Sequence, residues 1–78
     1  MSNSNVDLTT PQARIAQFFM RDTKGLDIRP HAVEELETEP CWYFYYEVNG
    51  SELELEVFFD EKVDDWTTTV TCIRPLAQ

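Results

Sequence analysis

The chain has 78 residues, 42% of them apolar and 13% aromatic, with a net charge of −9 and an isoelectric point near 4.2. That length holds one small core and no second domain, and the apolar content is too high for a wholly disordered acidic polymer. The negative charge opposes direct binding to nucleic acid or to anionic lipid, and no apolar run approaches the ~18 residues of a membrane span.

The opening MSNSNVDLTT lacks the basic and apolar regions of a secretory leader, so a cytoplasmic location is expected. Residues 1–8 read as a mobile polar segment, and residues 9–76 as the domain. A helix is predicted over about 10–23. Thr9 or Thr10 suits its cap, Pro11 its first turn, and Thr9 with Gln12 has capping-box spacing. Ile15, Phe18 and Phe19 form the expected buried stripe, with Leu8 stapling the start, while Lys24 and Gly25 suit the C-terminal end.

Residues 26–40 carry the weakest signals. Leu26 and Ile28 alternate as in a short extended piece. Pro30 is read as opening a helical turn that carries Val33 and Leu36, and Pro40 closes the segment.

CWYFYYEV and SELELEVFF are β-favouring runs joined by Asn49-Gly50, the strongest short-range hairpin signal. A two-residue loop pairs Val48 with Ser51, and so on to Cys41 with Phe58. One face then holds Trp42, Phe44, Tyr46, Val48, Leu53, Leu55, Val57 and Phe59, which is the expected core side. The other holds Tyr43, Tyr45, Glu47, Glu52, Glu54 and Glu56, with Phe58 at its far end. After the charged loop DEKVDD, WTTTVTCIR over 66–74 is read as a third strand. Trp66, Thr68, Val70 and Cys72 are expected to face inward, and Thr67, Thr69, Thr71 and Ile73 outward. The fold class is therefore α+β, one N-terminal helix packed on a three-stranded antiparallel sheet in an α-β-β-β meander. The Tyr/Glu/Thr face is left open.

In that meander Cys41 and Cys72 lie on opposite faces of strands about 9.6 Å apart, beyond disulfide range, so reduced thiols are expected. No metal is expected, because His31, Cys41 and Cys72 have no ligand spacing and DEKVDD lacks the glycine and bidentate glutamate of a calcium loop. With two glycines, no Cys-His or Ser-His signature and no depth for a pocket, the chain is expected to be non-enzymatic and free of cofactors.

Charge distribution supplies the functional lead. Between Glu34 and Asp65 lie twelve acids and one cation, Lys62, and Glu47 faces Glu52 across the hairpin. Like charges directly opposite destabilise a sheet, so the row calls for an explanation beyond solubility. The expectation is a protein-binding module (adaptor, assembly or regulatory subunit, or inhibitor) that meets a basic partner through Tyr43, Tyr45, Glu47, Glu52, Glu54, Glu56, Asp60, Asp64 and Asp65. A nucleic-acid-mimicking inhibitor, such as a phage-encoded anti-defence protein, is the alternative, and a structural subunit of a larger complex is a third. Self-association through the sheet edges is also anticipated.

Overall fold

The computed structural model describes residues 7–22 and 25–76. The mobility expected of the N-terminal segment and the role given to Lys24 fall largely or wholly outside those residues. A helix α1 (Pro11–Phe19) runs into a 3-10 turn (Met20–Asp22). It is followed by β1 (Ile28–Glu35), β2 (Cys41–Val48), β3 (Ser51–Asp60) and β4 (Asp65–Pro75). The strands form one antiparallel sheet in the order β1-β2-β3-β4. The α+β class therefore holds, with four strands in place of three. No helix among the described residues is long and apolar enough to cross a membrane.

The hairpin forms in the expected register, from Val48 opposite Ser51 to Cys41 opposite Phe58. Its turn needs two residues at positive φ, and Asn49 (50°) and Gly50 (82°) supply them at little strain. The turn also ties down both outer strands. Asn49 exchanges hydrogen bonds with Asp27: its N–H donates to the Asp27 carbonyl (3.2 Å), and its Oδ1 accepts from the Asp27 N–H (3.1 Å). The Gly50 carbonyl accepts from the Leu76 N–H (3.1 Å).

The segment read as a helical turn at Pro30 is instead strand β1. Ile28 lies opposite Val48, Pro30 opposite Tyr46 and Val33 opposite Phe44, with an irregularity between Pro30 and Ala32 that leaves His31 as the extra residue. This bulge puts Val33 on the same face as Ile28 and Pro30, and its odd spacing hides a period of two. Proline is tolerated because β1 is an edge strand, where a missing N–H need not break the ladder.

A second bulge corrects the reading of β4. Glu54 lies opposite Cys72 and Leu55 opposite Val70, so Thr71 is extra. Before it, Trp66, Thr68 and Val70 share the helix side as expected. Beyond it the faces exchange. Ile73 lies opposite Leu53 on the helix side, and Cys72 and Arg74 lie opposite Glu54 and Glu52 on the open side. Cys41 and Cys72 therefore share a face rather than opposing one another, and both thiols are free.

The core joins Ala13, Ala16 and Met20 of the helical segment to Phe44, Tyr46, Leu55 and Val57, flanked by Leu8, Ile15, Ile28, Val33, Trp42, Val48, Leu53 and Trp66. Trp42 stacks on Phe44 at 6.0 Å, and Phe59 meets Trp66 edge-on at 5.9 Å. Of the expected stripe of Ile15, Phe18 and Phe19, Ile15 flanks this core and the two phenylalanines turn outward. Phe18 is 65% and Phe19 42% exposed, whereas Ala13 and Ala16 are fully buried. Small residues bring the helix axis close to the large aromatic side chains of the sheet. Phe18 is instead covered by the Arg21 guanidinium, 3.8 Å from its ring centroid, which also donates to the Phe18 carbonyl at 2.8 Å. The Tyr46 hydroxyl is buried with no hydrogen-bond partner among the described residues.

This packing makes a test of which helix face is inward. Ala16→Leu should cost about 1–3 kcal/mol by overpacking, whereas Phe18→Ser should change stability by roughly 0.5 kcal/mol or less. Urea unfolding of both variants measures this, and the reverse ranking would place the phenylalanines inside.

Candidate functional site

The open face is an array of cross-strand rows. The first row reads Arg29, Glu47, Glu52, Arg74 from β1 to β4. The second holds Ala32, Tyr45, Glu54 and Cys72, and the third Glu34, Tyr43, Glu56 and Thr69. Cys41 and Phe58 follow, with Thr67 beside them. All six hairpin residues proposed from sequence are thus brought onto one face.

The first row resolves the like-charge problem. Glu52 is only 16% exposed and is held from both sides: Arg74 donates to its Oε1 from Nη2 at 2.8 Å and from Nε at 3.0 Å, and His31 Nε2 lies 3.5 Å from its Oε2. Arg29 pairs with Asp27 at 2.8 Å and stands opposite Glu47, close enough to feel that carboxylate. Each member of the glutamate pair therefore has an arginine on its outer side. Coulomb repulsion of the order of 1–4 kcal/mol at short range is offset by attractions of the same size.

Hydroxyls and a thiol serve the other rows. Thr71 donates to Glu54 Oε1 at 2.8 Å, the Tyr45 hydroxyl lies 3.4 Å from Glu34 Oε1, and the Tyr43 hydroxyl lies 3.4 Å from Glu56 Oε2. Cys41 Sγ is 3.2 Å from the same Glu56 oxygen. The acidity of these donors responds. Burial, followed by the hydrogen bond and charge of Glu56, raises the Cys41 thiol from 9.0 to about 11. The charge of Glu56, followed by burial, raises the Tyr43 phenol from 10.0 to about 12. Tyr45 is also raised, by burial and then by Glu54.

Asp60 and Asp65 pair at the far end of this face, beyond Phe58 and Thr67, and Asp64 lies in the turn past them. Asp60 lies eight residues beyond Glu52, about 27 Å along the strand. Asp60 opens the β3–β4 turn, accepting the Lys62 N–H at 3.0 Å, and Asp65 accepts the Trp66 N–H at 2.8 Å. In an antiparallel meander the β1–β2 and β3–β4 connections leave the same end of the sheet, opposite Asn49-Gly50. At that end residues 34–39 carry Glu34, Glu35, Glu37 and Glu39, and residues 60–65 carry Asp60, Glu61, Asp64 and Asp65. All but Asp60 are exposed, and Lys62 is the sole cation of the two segments. The net charge is therefore gathered at one end, while the arginine-bearing end is close to balanced.

Sequence reasoning missed Arg29, His31, Thr71 and Arg74. A signal for Arg74 existed: strict alternation put Ile73 outward and Arg74 inward, an apolar-polar inversion that a one-residue slip at Thr71 removes. Among the described residues no three His, Cys, Asp or Glu side chains are grouped to hold a metal ion. The chain matches no protein-family model, no curated protein and no solved structure.

The Glu56 cluster predicts a specific alkaline response. A folded-state pKa raised for Cys41 and Tyr43 means the native state favours their protonated forms. That contribution is complete below the ordinary values of 9.0 and 10.0 and is lost as pH rises through about 11 and 12. Thermal melts between pH 8 and 12 should show a falling Tm, with a shallower fall in Glu56→Gln. An unchanged slope would remove Glu56 as the cause.

Proposed function

We propose that the chain is a small, acidic, non-enzymatic protein-binding module that meets a basic partner at the carboxylate-rich end of its sheet, in the role of an adaptor, a regulatory subunit or an inhibitor. The observation that carries this reading is the convergence of the 34–39 and 60–65 segments, with eight carboxylates and one lysine between them. At the other end Arg29 and Arg74 offset Glu47 and Glu52, so attraction for a basic surface is directional. Tyr43 borders the acidic end through the row it shares with Glu34 and Glu56 and offers an aromatic edge beside the charge. Such an arrangement steers association and makes its rate sensitive to salt.

Nucleic-acid mimicry by the same end is the second reading, favoured by the excess of uncompensated carboxylates at a single pole. Displacement by duplex DNA separates the two, since a mimic competes with DNA for its partner.

The test uses immobilised protein and a lysate of its own cells, with a triple variant Glu37→Gln, Glu61→Gln, Asp64→Asn as comparison. All three positions are exposed, and asparagine accepts the positive φ of 55° at position 64. The wild type should retain a basic protein that the triple variant releases at lower salt, while Glu47→Gln leaves retention unchanged. Equal retention by the triple variant would contradict the reading.

A further inference from the structure

Asn49 is the one asparagine of the chain that is followed by glycine, whereas Asn3 precedes Ser4 and Asn5 precedes Val6. Both turn residues are exposed, and a Cβ placed on Gly50 would meet no atom within 4 Å beyond its chain neighbours. The approach to the Gly50 nitrogen is therefore open. The ladder closes at Val48 opposite Ser51, which leaves the Gly50 N–H outside it. Asn49 Oδ1 meanwhile accepts the Asp27 N–H at 3.1 Å. A donor aimed at an amide oxygen draws electron density from Cγ, and it stabilises the negative charge that the oxygen gains under nucleophilic attack. An unshielded nitrogen and an activated carbonyl thus stand on adjacent residues, at the spacing that closes a five-membered ring.

We propose that Asn49 is a self-modification site at which water replaces ammonia, and that the change unlocks the sheet. The Gly50 nitrogen gives its proton to solvent and bonds to Asn49 Cγ. Nδ2 takes a proton from solvent and leaves as ammonia, closing a succinimide. Water then opens the ring on either side. Cleavage between the nitrogen and Cγ leaves aspartate on the original main chain. Cleavage between the nitrogen and the Asn49 main-chain carbonyl carbon leaves isoaspartate, whose chain runs through Cβ and Cγ and is longer by one atom. That atom falls between the two anchors of the turn, Asn49 on Asp27 and Gly50 on Leu76. A two-residue loop sets register by its length, so the isoaspartyl chain loses the alignment that holds both outer strands. Either product also adds a carboxylate beside Asp27, at the end where arginines otherwise balance the glutamates. The inference is independent of the acidic end having a partner.

The full chain is aged in mildly alkaline buffer made with heavy-oxygen water, and its peptides are mapped by mass spectrometry. The peptide holding Asn49 should exchange its amide nitrogen for one labelled oxygen, ahead of the peptide holding Asn3 and Asn5, and should contain isoaspartate as well as aspartate. Asn49→Asp supplies the charge without the longer chain, and aspartate tolerates the left-handed conformation. It should melt close to the wild type, whereas the isoaspartyl fraction separated by ion exchange should melt about 4–8 °C lower. A parallel sample in urea reports the unfolded chain, which lacks the Asp27 contact. Reaction only in urea, or at Asn3 or Asn5 ahead of Asn49, overturns the site. An isoaspartyl fraction that melts with Asn49→Asp overturns the unlocking.

Discussion

The Asn49-Gly50 turn is the constraint on which the rest of the structure depends. Two successive residues at positive φ leave the hairpin one register, and with it one division of side chains between the two faces. A slip of one residue would carry Phe44, Tyr46, Leu55 and Val57 into water and bury the glutamates. The turn also anchors the strands it does not join, through Asp27 before β1 and Leu76 after β4. Register is therefore set at one end of the sheet for all four strands. At the opposite end the connections are longer and are free to carry charge.

That division explains how the sheet tolerates its carboxylates. Five glutamates stand on the open face, and each has a named neighbour from another strand: Tyr45 for Glu34, Arg29 for Glu47, His31 and Arg74 for Glu52, Thr71 for Glu54, Tyr43 and Cys41 for Glu56. The outer strands thus supply partners for Glu47, Glu52 and Glu54, while the hairpin supplies its own for Glu56. Where strands give way to turns, no such partners are in register, and the chain's excess charge collects there. Exposed pairs of this kind contribute little individually. Their consequence is the uneven field left behind, which a basic partner would sense before contact.

The hairpin, its register and its two faces were legible in the sequence because a two-residue turn and strict alternation leave little freedom. Strand β1 was not, since Pro30 and the bulged His31 disrupt both cues on which strand recognition relies. The far half of β4 was misread for the same reason: one extra residue at Thr71 exchanges the faces of Cys72, Ile73 and Arg74. On the helix, large apolar side chains suggested the inward stripe, but close packing on Phe44 and Tyr46 favours Ala13, Ala16 and Met20. The hairpin part of the candidate site followed from the turn, whereas the cations that balance it required both bulges. Asp60, Asp64 and Asp65 were identified as acidic, but their distance from Glu52 follows from the length of β3.

Uncompensated negative charge sits at the end of the sheet remote from Asn49-Gly50. The most direct measurement is the paramagnetic relaxation that a small cationic nitroxide induces in the backbone amides, followed by NMR, with a neutral nitroxide as reference. Excess relaxation is expected at residues 34–39 and 60–65, and little at residues 47–52. Excess relaxation centred on Glu47 and Glu52, or spread evenly over the open face, would contradict it.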